Sequence, residues 1–232
     1  MRLVAYILLA LALATQNALA FDSEDWERLR RTGVCPGCDL RDLDLSKTTL
    51  RRSTLIDSGP LRLDLSGANL QRANLPRAPM SRAILNGANL RDAVLRQADL
   101  RRSDLRGADL RGADLRQANL TAARLDGADL SHANLHRTNL TGARLTGVSL
   151  LQADLTWAIL VRASLSGADL SDANVRRAFL TETDLRRARL PRTDLRGADM
   201  RDASGLTQHQ LGQACGDDDT RLPEWFTITP CQ

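Results

Sequence analysis

From position 40 to position 200, every fifth residue falls in one unbroken register of 33 positions, and leucine fills 29 of them. The other four are Pro60, Met80, Val175 and Met200. Two residues before each, a small residue is usual, as in Ala68, Ala73, Ala78 and Ala108, with Ser103 in the same place. The residue between is usually Asp or Asn, as in Asp99, Asp109, Asn119 and Asp129, so the unit reads A-[D/N]-L-x-x. A strict period of five is not helical. At ~3.6 residues per turn, such leucines would spiral around the axis and bury no single face. An Ala and a Leu two apart share one face of a strand. A turn must then fit before the next unit begins. Short strands joined by frequent turns, all facing one axis, make a solenoid.

A second period lies above the first. Gly67, Gly87, Gly107, Gly127, Gly147 and Gly167 recur every 20 residues, which is four units. A coil with four sides stacks these glycines in one column. Because glycine accepts positive φ in turns, the column predicts one edge of uniform turn chemistry.

The units Ala68-Asn69-Leu70-Gln71-Arg72 and Ala108-Asp109-Leu110-Arg111-Gly112 resemble those of the pentapeptide repeat family, over roughly residues 38–203. The resemblance implies an all-β fold, a right-handed quadrilateral β-helix of about eight coils, with the Leu and the small residue both pointing inward. At ~4.8 Å per stacked strand, the rod would be ~40 Å long. An aromatic content of 3% suits so narrow a core.

The ends read differently. Residues 1–20 have the form of a secretory signal peptide: Arg2, an apolar run from Leu3 to Ala14, and Ala18-Leu19-Ala20 before the cleavage point. The run is shorter than the ~20 residues a membrane-spanning helix needs. The expected mature protein is exported, periplasmic or extracellular, with no transmembrane segment. The expected division is a signal peptide at 1–20, a capping segment at 21–37, the β-helix at 38–203 and a capping tail at 204–232. Caps are expected because a solenoid leaves unpaired strand edges at both ends. Residues 22–32 read as a short helix with Trp26 and Leu29 on one side and Gly33 after it. Thr207-Gln208-His209-Gln210 fits a capping box, with Gly216 closing a second short helix. Pro60 at an inward position and Leu63 at a small one predict a distorted coil near residues 56–62.

Four cysteines in an exported chain point to disulfides. Cys35 and Cys38 lie in the repeat register and read as buried or disulfide-linked, with redox or zinc chemistry as weaker alternatives. Cys215 and Cys231 lie a rod's length away, beyond the ~7 Å limit for a bridge. If the tail cysteines pair, they pair with each other.

The sequence carries no nucleophile elbow, P-loop or dinucleotide fingerprint. The recurring acids sit at a fixed place in every unit and read as scaffold. No enzyme activity, cofactor or metal is expected. His132 and His136 project outward at successive turns without a third ligand, and Asp217-Asp218-Asp219 reads as a solvated acidic run. Two surface features stand out. Arg91, Arg96, Arg101, Arg106, Arg111 and Arg116 occupy successive turns as a belt, and Arg62, Arg82 and Arg102 stack on one edge; together they could face an anion. Trp157, Ile159, Val161 and Phe179 form an outward apolar group, a partner patch unless the tail, with Trp225 and Phe226, covers it.

These features point to a rigid, non-enzymatic binding or structural scaffold for an unknown protein or an anionic partner in the envelope. The resemblance implies one alternative, since some members mimic DNA and protect DNA gyrase. That mechanism needs a cytoplasmic protein with a strongly negative surface. Residues 39–203 instead hold 27 Lys plus Arg against 20 Asp plus Glu, behind a signal peptide. The scarcity of stacking aromatics disfavours nucleic acid. Oligomeric state is not written in the sequence.

Overall fold

The computed structural model describes residues 23–32 and 63–231. Residues 63–204 wind as a parallel β-helix in which each turn of the chain takes 20 residues. Asp64 bridges Ile84, Asn69 bridges Asn89, and the ladder runs on in steps of five to Asp184 with Ser204. Each unit contributes a single bridging residue, the one before the inward Leu. Its N–H and the carbonyls and amides around it pair with the coils on either side, as Ile84 N donates to Leu63 O and Leu65 N to Ile84 O. The backbone is satisfied without any strand longer than the unit.

Four faces result. Face 1 carries Leu65, Leu85 and their successors inward. Face 2 carries Leu70 and Leu90, face 3 Leu75 and Leu95, and face 4 Met80 and Leu100. All 28 inward positions from Leu65 to Met200 are buried, which makes seven coils in the described residues. The small position is buried in every unit as well. Where it is polar it is satisfied: Thr138 Oγ1 donates to Leu115 O, Thr183 Oγ1 to Leu160 O, and Ser103 Oγ to Leu100 O. The leucines pack directly over one another at ~4.8 Å, and each contributes ~1.5–3 kcal/mol by leaving water.

Corners are four-residue turns closed by the small residue's N–H on the preceding Leu carbonyl, as Ala68 N on Leu65 O. The second central residue has positive φ in all 28 turns from Gly67 to Asp202, the signature of a type II turn. The glycine column does mark one edge, between faces 1 and 2. Its turns are uniform as expected, and the other three edges share the same positive φ. Nineteen of the turns place a non-glycine residue in the left-handed region, including Arg102, Ala122 and Trp157. The stacked hydrogen bonds impose the turn whatever the residue, and at the column Gly87, Gly107, Gly127, Gly147 and Gly167 a Cβ would meet nothing within 4 Å. Glycine relieves backbone strain there; it does not make room.

Two helices are present among the described residues. Helix α1, Ser23–Thr32, agrees with the expected N-terminal helix and has Glu24 and Asp25 in its first turn, where they complement the helix dipole. Helix α2, Gln208–Leu211, opens with the expected capping box. Thr207 N donates to Gln210 Oε1 at 2.8 Å and Gln210 N to Thr207 Oγ1 at 3.2 Å. The helix closes at Gly212, not at Gly216 as the sequence suggested. Gly216 is instead in extended pairing with Pro230, where a Cβ would meet Thr220 Oγ1 at 2.8 Å.

The tail continues the winding over the last coil. Asp194 bridges Cys215 and Asp199 bridges Arg221, 21 and 22 residues on, the extra residues being taken up by α2 and its loop. Gln210 completes the seal: its buried side-chain amide donates to Leu185 O at 3.1 Å and to Ala188 O at 2.8 Å, and the latter is a carbonyl that a further coil would otherwise pair. Leu222, Phe226 and Ile228 pack against the exposed end of the core. Cys215 and Cys231 form a disulfide with Cα atoms 4.8 Å apart. The expected signal peptide, Cys35, Cys38, Arg62 and the distorted coil at 56–62 lie outside the described residues. Leu63 does occupy a small position, and is buried there.

Candidate functional site

The outward residues fall into columns, because every position recurs 20 residues on. The acids come first. In most units the Asp or Asn side chain before the Leu accepts the backbone N–H two residues on, as Asp129 Oδ1 from Ser131 N at 2.9 Å and Asn119 Oδ1 from Thr121 N at 3.0 Å. These residues set the turn, which is the scaffold role read from their regular placement.

The arginine belt is then only partly free. Arg101, Arg106, Arg111 and Arg116 each fold back on the Asp two residues earlier in a two-point contact; for Arg101, Nε meets Asp99 Oδ1 at 2.7 Å and Nη2 meets Oδ2 at 2.5 Å. Arg96 reaches across to Asp114, which thus serves two arginines. The guanidinium groups beside Asp99, Asp104 and Asp109 hold those carboxyls below the usual carboxylate range. Much of the belt is self-neutralised. Arg82 and Arg102 do stack on the edge after face 4, both exposed.

Charge is unevenly spread over the four sides. When each unit from 63 to 202 is assigned to its face, face 3 holds seven arginines against three aspartates. Faces 1 and 4 hold five basic residues against four acidic ones, and face 2 five against five. Neither the belt from Arg91 to Arg116, which runs around the rod, nor the stacked edge of Arg82 and Arg102 coincides with this excess along face 3. On face 3 a groove of about 590 Å³ opens between Pro76, Arg77 and His136 across four coils.

The apolar group is brought together as expected. Ile159 and Phe179 are bridged neighbours on face 4, Val161 lies in the adjoining column, and Trp157 stands at the corner with face 3. Trp157 is 37% exposed and Phe179 41% exposed with the tail in place. Cover by the tail is therefore overturned: Phe226 is spent on the rod end, and Trp225 is 95% exposed. Arg177 lies over the Trp157 ring at 5.2 Å, a cation–π contact that fixes the ring against the surface.

The remaining candidates separate. His132 is exposed at a corner, while His136 is half-buried on face 3 with Nδ1 3.2 Å from Thr156 Oγ1. Asp217 is not part of a free acidic run: it accepts from Gly197 N at 2.8 Å and Thr220 Oγ1 at 2.9 Å, and so anchors the tail. Among the described residues, the one grouping of three metal-type side chains is Asp194 with Cys215 and Cys231, whose sulfurs are already bonded to each other. No helix among them is long and apolar enough to cross a membrane.

Comparison with known proteins agrees with the architecture. The chain is similar to HetL, a pentapeptide repeat protein involved in heterocyst differentiation regulation in Nostoc sp. strain PCC 7120, at 29% identity over 93% of this chain and 97% of that one, with a TM-score of 0.49. It is similar to a pentapeptide repeat protein of the Arabidopsis thaliana thylakoid lumen at 36% identity, over 45% of this chain and 72% of that one, with a TM-score of 0.33. It is also similar to QnrB1, a plasmid-mediated fluoroquinolone resistance protein, at 18% identity over 67% and 90% of the two chains, with a TM-score of 0.34. No curated protein matches. The family model for pentapeptide repeats matches in eight copies over residues 64–102, 83–121, 123–160 and 163–202, more than half of the chain. With its five-residue units seated in a four-sided parallel coil, this chain belongs to the pentapeptide repeat family.

Proposed function

We propose that the protein is an exported, non-enzymatic scaffold, a stiff rod that docks a partner protein through the patch of Trp157, Ile159, Val161 and Phe179. One observation carries this reading: with the tail in place Trp157 and Phe179 stay 37% and 41% exposed, and among the described residues of the coils no other large apolar side chain is as exposed. Its surroundings support it. In the coils of Asn119 to Thr181, the two outward columns that flank the inward Leu of face 4 hold uncharged residues, among them Thr121, Asn139 and Thr141, while the corner column holds the paired Arg162 and Glu182. Such a surface costs less to desolvate than a charged one. Right-handed winding, which parallel crossovers strongly prefer, belongs to the same reading, as do capping roles for α1 and the tail.

Crosslinking in the native host tests the docking face. Discrete protein adducts are expected with the natural sequence and not with Trp157→Ala combined with Phe179→Ala, the far-ultraviolet circular dichroism being unchanged. Adducts that persist in the double variant would remove the patch from consideration. Export rests on the sequence of residues 1–20 alone. Mass spectrometry should find a mature chain starting at Phe21 outside the cytoplasm; an intact Met1 confined to the cytoplasm refutes it.

A further inference from the structure

We infer that the groove on face 3 is a binding site for an acidic polysaccharide lying along the rod axis. The site is separate from the apolar patch, so either can stand without the other.

Three observations converge. The first is the excess of positive charge, which is concentrated on this face and under-compensated there. Asp114 serves both Arg96 and Arg116. Among the described residues Arg77 has no carboxylate partner; its Nε donates to Gln97 Oε1 at 2.6 Å. The second is that the side chains are already ordered. Gln97 Nε2 passes the chain on to Gln117 Oε1 at 2.8 Å, so one hydrogen-bonded ladder runs up the corner beside the groove. Each glutamine amide keeps a donor to spare. A ladder fixed before the ligand arrives lowers the entropy cost of binding. The third is the shape: a concavity about 590 Å³ in volume, elongated along the stacked units.

The chemistry of the walls selects the ligand. Guanidinium forks match carboxylates and sulfates. The amides of Gln97 and Gln117 suit hydroxyl groups, and the ring of Pro76 offers an apolar floor for a sugar face. The groove lining holds no Phe, Tyr or Trp, and its one aromatic ring is that of the half-buried His136, so a nucleic-acid single strand finds no series of rings to stack on. An extended acidic peptide repeats on one side every ~6.6–6.8 Å, out of step with arginines one rung of ~4.8 Å apart. A chain of acidic sugars presents acid groups, hydroxyls and ring faces together along its length, which suits walls that combine guanidinium groups, amides and a proline ring.

The test measures binding of fluorescent polygalacturonate and heparin fragments, one carboxylated and one sulfated, with neutral dextran and single-stranded and duplex DNA alongside. Two double variants are compared. Arg77→Gln with Arg96→Gln removes groove charge while leaving Arg116 on Asp114. Gln is already accommodated at the Arg77 position, since Gln97 and Gln117 hold φ of 58° and 59° in the same column. Arg82→Gln with Arg102→Gln removes equal charge from a different edge. The expected result is binding of at least one acidic glycan, about tenfold weaker in the groove variant and little changed in the edge variant. Whichever glycan binds more tightly identifies the acid group. Absence of binding, equal loss in both variants, or DNA binding that exceeds both glycans and follows the groove variant would each overturn the inference.

Discussion

At a corner of this rod, a residue's identity and its conformation are separable. Ala122 sits at φ 56° and Gly107 at φ 62°, in equivalent turns. Gly107→Ala should therefore cost only the left-handed strain of an L-residue, about 1–2 kcal/mol, because its Cβ would enter open space. Gly205→Ala should cost clearly more, since its Cβ would overlap Arg186 Cγ and approach the Arg186 backbone N to 2.8 Å. Chemical denaturation of the two variants checks the order; equal losses would show that crowding plays no part. The same scale governs acid stability. Asp99, Asp104, Asp109, Asp184 and Asp199 all have carboxyls held below the ordinary range by a paired arginine. A depressed folded pKa contributes stability that is complete above the unfolded value of ~3.9 and is lost as pH falls through the folded value. The melting temperature should thus be level from neutrality to about pH 5 and fall below about pH 4. Arg101→Gln, Arg106→Gln and Arg111→Gln together should flatten that acid limb; an unchanged limb would assign it to other groups. The sequence showed the acids as scaffold from their placement. It did not show the left-handed corners, because glycine marks only nine of the 28 and the stacked hydrogen bonds compel the rest.

Among elements, the C-terminal tail had the most to reveal. Its capping box was legible because Thr207 and Gln210 stand at the spacing that lets each satisfy the other's backbone. Its disulfide was legible because the length of the rod leaves Cys215 and Cys231 no other partner within reach. The closing glycine was misread, since four residues of turn and extended chain separate the end of α2 from Gly216 and nothing local distinguishes the two glycines. Nor could sequence decide between the rod end and the apolar patch as the place where Phe226 packs, because both are apolar and only the path of the tail selects one. The disulfide closes a separation of 16 residues, a loop for which cross-linking is worth about 3 kcal/mol. Replacing both Cys215 and Cys231 by Ser should loosen the tail first. Hydrogen exchange should quicken at Gly216 and Arg221 while the amides of Leu120 to Leu140 remain protected, as stability in a stacked rod is local. Uniform acceleration along the rod would mean that the tail holds the whole coil together.

For the molecule as a whole, the equivalence of the units makes length and facing independent variables. Among the described residues every central inward position is filled by Leu, Met or Val and the coils are joined by the same hydrogen bonds, so coils are interchangeable while columns are not. This is why the fold was legible in the sequence and the groove was not: periodicity five defines the inside, whereas the groove is visible only when the chain is cut into lengths of 20 and stacked. Excising residues 123–142, one full coil, joins Ala122 to Ala143 in phase and leaves face 3 below the cut aligned with face 3 above it. The rod should shorten by ~4.8 Å, keep its β-helical circular dichroism and melt cooperatively at a modestly lower temperature. Excising residues 128–142, three units, preserves the five-residue register and should also fold, but it turns everything below the cut by one side of the square. The patch of Trp157 and Phe179 would then move to another side relative to Arg77 and Arg96. Excising 17 residues from the same region breaks both registers and should abolish the cooperative transition. Scattering measurements of length, together with melting curves, separate the three outcomes; if the 15-residue deletion fails to fold while the 20-residue deletion folds, the outward columns contribute to coil stacking, and facing is not free of stability.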